Sequence, residues 1–168
     1  MKKFIRRFLV FMLAALVVIQ FFRPSKNIAQ GLSVNDITTK YTVPDSIASV
    51  LKVACNDCHS NNSRYPWYWN FQPVAWFLSG HINEGKWHLN FSEFTTYPIA
   101  RQYKMFDNIN KEIKEGGMPL ESYTLIHRDA VLSDNDKAAF AAWTAAARKQ
   151  IEDHYPADSL IMKGRTHD

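Results

Sequence analysis

Two cysteines in 168 residues are too few for a scaffold stapled by several disulfides. Acidic residues are missing from positions 1–26, where Lys2, Lys3, Arg6, Arg7, Arg23 and Lys26 stand. That one-sided stretch accounts for the chain's formal charge of +4. The remaining residues hold 14 basic and 16 acidic side chains, a formal −2. A body of that sign is no nucleic-acid binder by charge. Persuasive strand alternation is absent and no segment repeats, which leaves little room for a sheet or a solenoid. What is present is a composition 46% hydrophobic and 14% aromatic, enough for about one globular domain with something added.

The addition lies at the N-terminus. From Phe8 to Phe22 run 15 residues whose only polar member is Gln20, with Arg6 and Arg7 before them and Arg23-Pro24-Ser25-Lys26 after. A positive flank ahead of an apolar run keeps the N-terminus inside and sends the rest across the membrane. The length suits the apolar part of a signal peptide and is slightly short for a span, although snorkelling arginines extend its reach. The expectation for residues 1–23 is a single transmembrane or signal-anchor helix. Cleavage after the small-residue site Ala29-Gln30-Gly31, which would release a soluble exported domain, is the alternative.

Residues 24–43 lack periodicity and read as a tether. From Pro44 onward the pattern is helical. Ile47, Val50, Leu51 and Ala54 fall at i, i+3, i+4 and i+7, on a helix that runs into Cys55. A second helix starts near Pro73 with Val74, Phe77, Leu78 and His81 on one stripe, and residues 85–98 read as irregular. A third covers 98–115, with Ile99, Gln102, Phe106, Ile109 and Ile113 aligned and Gly116-Gly117 as its stop. Ser133 with Asp136 resembles a capping box opening a last helix, whose inner face carries Phe140, Trp143, Thr144 and Ala147. Residues 151–168 read as a loose tail. The expected fold class is all-α, with the body spanning 44–150.

Both cysteines fall in Cys55-Asn56-Asp57-Cys58-His59. C-x-x-C-H is the attachment signature of c-type haem. Two thiols three residues apart at a helix end each reach one vinyl group of the same porphyrin, and the following histidine falls beneath the iron. A chance match in a chain of this length is on the order of one in a thousand. Three other readings compete. A thioredoxin-like redox pair lacks its βαβ context. A Cys2His2 zinc shell would need His81 or His88, and a plain Cys55–Cys58 disulfide asks for nothing more.

For the sixth iron position, Met118 follows Gly116-Gly117 and precedes Pro119, in a loop whose glycines permit unusual dihedrals. A thioether ligand there raises the reduction potential, as electron transfer favours. His81 is the rival, giving bis-histidine ligation. His88, His127, His154 and His167 read as solvent-facing or structural. Arg64 and the indole of Trp87 are the candidate donors to the haem propionates, with Arg101 and Arg128 behind them. His59 should donate its other ring nitrogen to a backbone carbonyl.

The run CNDCHSNNSRYPWYWNFQPVAWFLSGHINEGKWHLNFSEF, followed by GGMPLESYTLIHRDAVLSDNDKAAFAAW, resembles the bacterial haem-binding domain family across about residues 44–150. Tyr65 and Leu120 depart from that pattern without removing a ligand. The resemblance implies a mono-haem, cytochrome c-like domain behind one membrane segment in the periplasm. It carries Cys55 and Cys58 onto the thioether positions, His59 onto the proximal ligand and Met118 onto the Met-Pro methionine. The expected cofactor is one haem c, and the expected partners are the membrane and unidentified redox proteins. Carrying one electron is the expected role rather than catalysis. A peroxidase-like enzyme or a haem- or gas-sensing module with a displaceable sixth ligand is the alternative.

Overall fold

Proline, glycine and serine at three junctions decide where the body's long helices begin and end. In the computed structural model, which describes residues 1–162, seven α-helices form and no strand does. They are α1 (Lys2–Ile19), α2 (Asp45–Ala54), α3 (Asn56–His59), α4 (Val74–His88), α5 (Ile99–Glu115), α6 (Glu121–Thr124) and α7 (Asp134–Glu152). Pro44 precedes α2. Gly116 ends α5 with φ +75°, a left-handed conformation that suits a residue lacking Cβ. Ser133 caps α7 with both arms of the capping box in place, Asp136 standing where glutamate is usual.

The expected stripes face inward. Gln102, Phe106, Ile109 and Ile113 are buried on α5, and Phe140, Trp143, Thr144, Ala147 and Ile151 on α7. These faces pack on each other and on Ile47 and Leu51 of α2. Edge-to-face contacts join Tyr41 to Phe106 at 5.0 Å and Phe106 to Trp143 at 5.6 Å. The buried Gln102 amide is satisfied. Its Oε1 accepts from the Tyr41 hydroxyl at 2.6 Å, and its Nε2 donates to the Tyr97 carbonyl at 2.6 Å. A smaller core of Trp69, Ala75 and Ile82 lies under α4.

Three segments extend or refine the expectation. Helix α4 continues to His88, so the irregular stretch begins only at Leu89. Residues 24–43, a tether whose packing the sequence leaves open, are packed. Ile37 and Tyr41 belong to the core. The Asn27 amide donates to Ser60 O and Ser63 Oγ, both at 2.8 Å, and an isolated bridge pairs Ile28 with Asn62. The tail is partly ordered too, with Ile151 buried and Leu160 packed on the core, while His167 and the rest of 163–168 lie outside the described residues.

The N-terminal helix corrects an expectation. α1 takes in Lys2, Lys3, Arg6 and Arg7 and buries no residue. Among the described residues, no helix is long and apolar enough to cross a membrane. Its apolar part within the helix, Phe8 to Ile19, is 12 residues, and at ~1.5 Å per residue it falls well short of a ~30 Å hydrocarbon layer.

Candidate haem-attachment site

Helix α2 ends at Ala54 because Cys55 leaves the helical region at φ −127°. The next turn closes on the Cys55 carbonyl, which accepts from the amides of Cys58 at 3.1 Å and His59 at 2.9 Å. The three side chains then diverge. Cys55 packs against the large core, Cys58 lines a cavity, and His59 points toward the end of α4. Both thiols are free. Burial pushes the Cys55 thiol up to about 12 and the Cys58 thiol up to about 11, so both are protonated at neutral pH.

His59 Nδ1 lies 2.9 Å from the Leu89 carbonyl. A carbonyl only accepts, so Nδ1 carries the proton and the lone pair is on Nε2. Burial lowers the ring's pKa, which keeps the imidazole neutral, the form that binds a metal. The ring stands edge-on to Phe91 at 6.3 Å.

Gly85 brings α4 this close. A Cβ built there would meet the Cys58 carbonyl oxygen at 2.6 Å, a backbone atom that cannot swing aside.

Beside Cys58 opens a cavity of about 380 Å³. Its apolar wall includes Trp69, Val74, Phe77, Leu78, Ile82 and Ile126. The stripe read from the sequence, Val74, Phe77, Leu78 and His81, faces this space. The polar wall is a connected network. Asp57, only 8% exposed, accepts from the Arg64 amide at 2.9 Å and pairs with its guanidinium at 3.1 Å. The Tyr123 hydroxyl donates to the same carboxylate at 2.7 Å, and burial raises its pKa. Tyr123 stacks on His127 at 4.3 Å, and His127 Nε2 lies 2.8 Å from the Tyr68 hydroxyl. His127, expected to be solvent-facing or structural, is half-buried in this network and lines the cavity. Its i, i+4 spacing from Tyr123 was the signal.

The other expected site residues are dispersed. His81 lines the cavity with its ring 4.4 Å from that of Phe77. Met118 is half-buried in the turn after α5, its amide donating to Glu112 O at 3.2 Å, and is not among the cavity's lining residues, although Leu120 is. Arg64 lines the cavity with its guanidinium committed to Asp57. Trp87 is 75% exposed on the last turn of α4, and Arg101 donates to the Trp87 and His88 carbonyls. Arg128 opens a short 3-10 turn. No group of three or more His, Cys, Asp or Glu among the described residues is placed to hold a metal ion, so neither His81 nor His88 completes a zinc shell with the two cysteines.

The chemistry of this donor set fits a covalently held haem, although of its members only Cys58, and neither Cys55 nor His59, lines the cavity. Two unbridged thiols flank one turn, a neutral imidazole with a free Nε2 follows them, and an apolar, aromatic space adjoins the second thiol. Comparison with protein families matches residues 14–146 to a model described as a haem-binding domain. No curated protein and no solved structure matches the chain.

Proposed function

The chain belongs to the haem-binding domain family, and on that basis we propose that it is a mono-haem, cytochrome c-like protein carrying one electron between redox partners. The observation that carries this reading is the turn Cys55–His59, with both thiols free and the His59 tautomer fixed by the Leu89 carbonyl. In the proposed chemistry, each thiol adds its sulfur to one vinyl carbon and its hydrogen to the neighbouring carbon, giving two thioethers with no net oxidation. His59 would supply Nε2 as the iron ligand, its Nδ1 being held by the Leu89 carbonyl. Bound iron porphyrin supplies the one-electron couple, and the chain's part is ligand choice and exclusion of water. No separate substrate site is required, so the protein is proposed as a carrier and not an enzyme.

Met118 is the proposed sixth ligand. A second reading has His81 in that place, favoured by its position on the cavity wall. Absorption spectra and redox titrations of Met118→Ala and His81→Ala decide between them. With Met118 as ligand, its removal lowers the potential and admits carbon monoxide, while His81→Ala leaves both unchanged; the reverse pattern assigns His81. A wild-type iron that is already five-coordinate and turns over peroxide would overturn the carrier reading.

The proposed location is the periplasmic face of a bacterial inner membrane. The basic residues before Phe8 and the fully unburied α1 support export and attachment there. Tethering raises the domain's effective concentration near membrane redox complexes.

A further inference from the structure

Where α1 meets the body, two glutamines clamp the chain. The Gln72 amide donates to Gln20 Oε1 at 2.9 Å, Gln20 Nε2 donates to Gln72 O at 3.2 Å, and Gln72 Nε2 donates to Phe22 O at 2.8 Å. Around this clamp stand five exposed aromatic residues. Phe21 and Phe22 leave α1; Trp67 and Phe71 come from the short turn before α4, their rings 6.0 Å apart; Trp76 lies on the first turn of α4, its amide bonded to Gln72 Oε1. Trp67 is 75% exposed, Phe71 55% and Trp76 43%, and none of the five lines the cavity beside Cys58. Five large rings at one junction are far more apolar surface than a soluble face needs.

The charge around them is one-sided. Residues 1–35 and 58–83, the two stretches that meet at the clamp, contain no Asp or Glu, whereas Arg23 and Lys26 lie beside it in sequence; Arg64, paired with Asp57, adds no free charge. Tryptophan, with an apolar body and a donor N–H, concentrates at the headgroup level of bilayers. Basic residues beside it favour anionic lipid. The apolar run 8–22, at ~1.5 Å per residue, is shorter than a ~30 Å hydrocarbon layer. A ring of aromatics at its far end extends the surface that lipid can cover.

We propose that this aromatic collar is a membrane-interface contact, seated among the headgroups of an anionic bilayer where the N-terminal helix enters it. The inference rests on the reading that the N-terminal helix is retained and enters a membrane. The clamp then fixes the orientation of the body, so the Cys55–His59 site stands at a set height above the lipid instead of swinging on a flexible leash.

The test uses the full-length protein with phosphatidylcholine–phosphatidylglycerol vesicles whose acyl chains carry bromine just below the headgroups. Wild type floats with the vesicles and its tryptophan fluorescence is quenched. Most of that quenching is lost in Trp67→Phe/Trp76→Phe and kept in Trp87→Phe, which removes an equally exposed indole outside the collar. Flotation with quenching unchanged in the double variant overturns the collar alone and leaves the anchor standing. Failure to float overturns both. A vesicle-bound protein whose collar indoles escape quenching and instead cross-link to a second copy assigns the surface to self-association and contradicts the proposal.

Discussion

A carbonyl, not a carboxylate, holds His59, and that choice has consequences. Leu89 O fixes the tautomer without adding negative charge, so the ring stays a neutral ligand. Gly85 is the residue that permits the arrangement. Gly85→Ala forces α4 away from the Cys58 carbonyl and should destabilise the fold by about 1–3 kcal/mol, despite alanine's better helix propensity. Gly80→Ala, on the same helix with open space beside it, should instead stabilise by up to about 1 kcal/mol; denaturant midpoints of the two variants measure the contrast. The thiols give a second check in the haem-free chain. Their raised pKa values mean that the folded state keeps protons the unfolded state has lost. Their contribution to stability is therefore complete below about pH 9 and disappears as pH rises towards 11–12. Alkylation at pH 8 should run about two orders of magnitude slower at Cys58, and about three at Cys55, than in the unfolded chain. The motif itself was plain in the sequence because its five residues are contiguous. Leu89 and Gly85 were not, since each meets the motif from about 30 residues away through a helix packing that no local pattern specifies.

Among the elements, α3 and α6 are too short to stand alone, and Asp57 ties them together. Its carboxylate serves the Arg64 amide, the Arg64 guanidinium and the Tyr123 hydroxyl at once. Asp57→Ala takes the acceptor from the Arg64 amide and Nε, leaves Arg64 Nη2 and the Tyr123 hydroxyl to share the Val53 carbonyl, and should cost about 2–4 kcal/mol, with Asp57→Asn costing less; thermal unfolding followed by circular dichroism reads both. The helices legible in the sequence, α2, α5 and α7, bury one regular stripe between strong start or stop residues. Helix α4 was cut short because Trp87 and His88 continue it with side chains that fit no stripe, and its own stripe faces a cavity. Residues 24–43 were unreadable for a different reason. They pack through single anchors, Asn27, Ile37 and Tyr41, and through hydrogen bonds, neither of which has a period.

At the scale of the molecule, charge separates along the chain: a basic, acid-free N-terminus, then a slightly acidic body. A C-terminal reporter that works only outside the cytoplasm should be active when fused to the full chain and silent when Lys2, Lys3, Arg6 and Arg7 are moved behind the apolar run; activity only inside the cytoplasm would contradict export. The central claim concerns what Cys55 and Cys58 carry. Its most direct measurement is the intact mass of protein expressed with haem-maturation machinery. The account predicts a gain of one haem that survives denaturation and is lost in Cys55→Ala/Cys58→Ala. A colourless protein of unmodified mass, with both thiols still titratable, would contradict it.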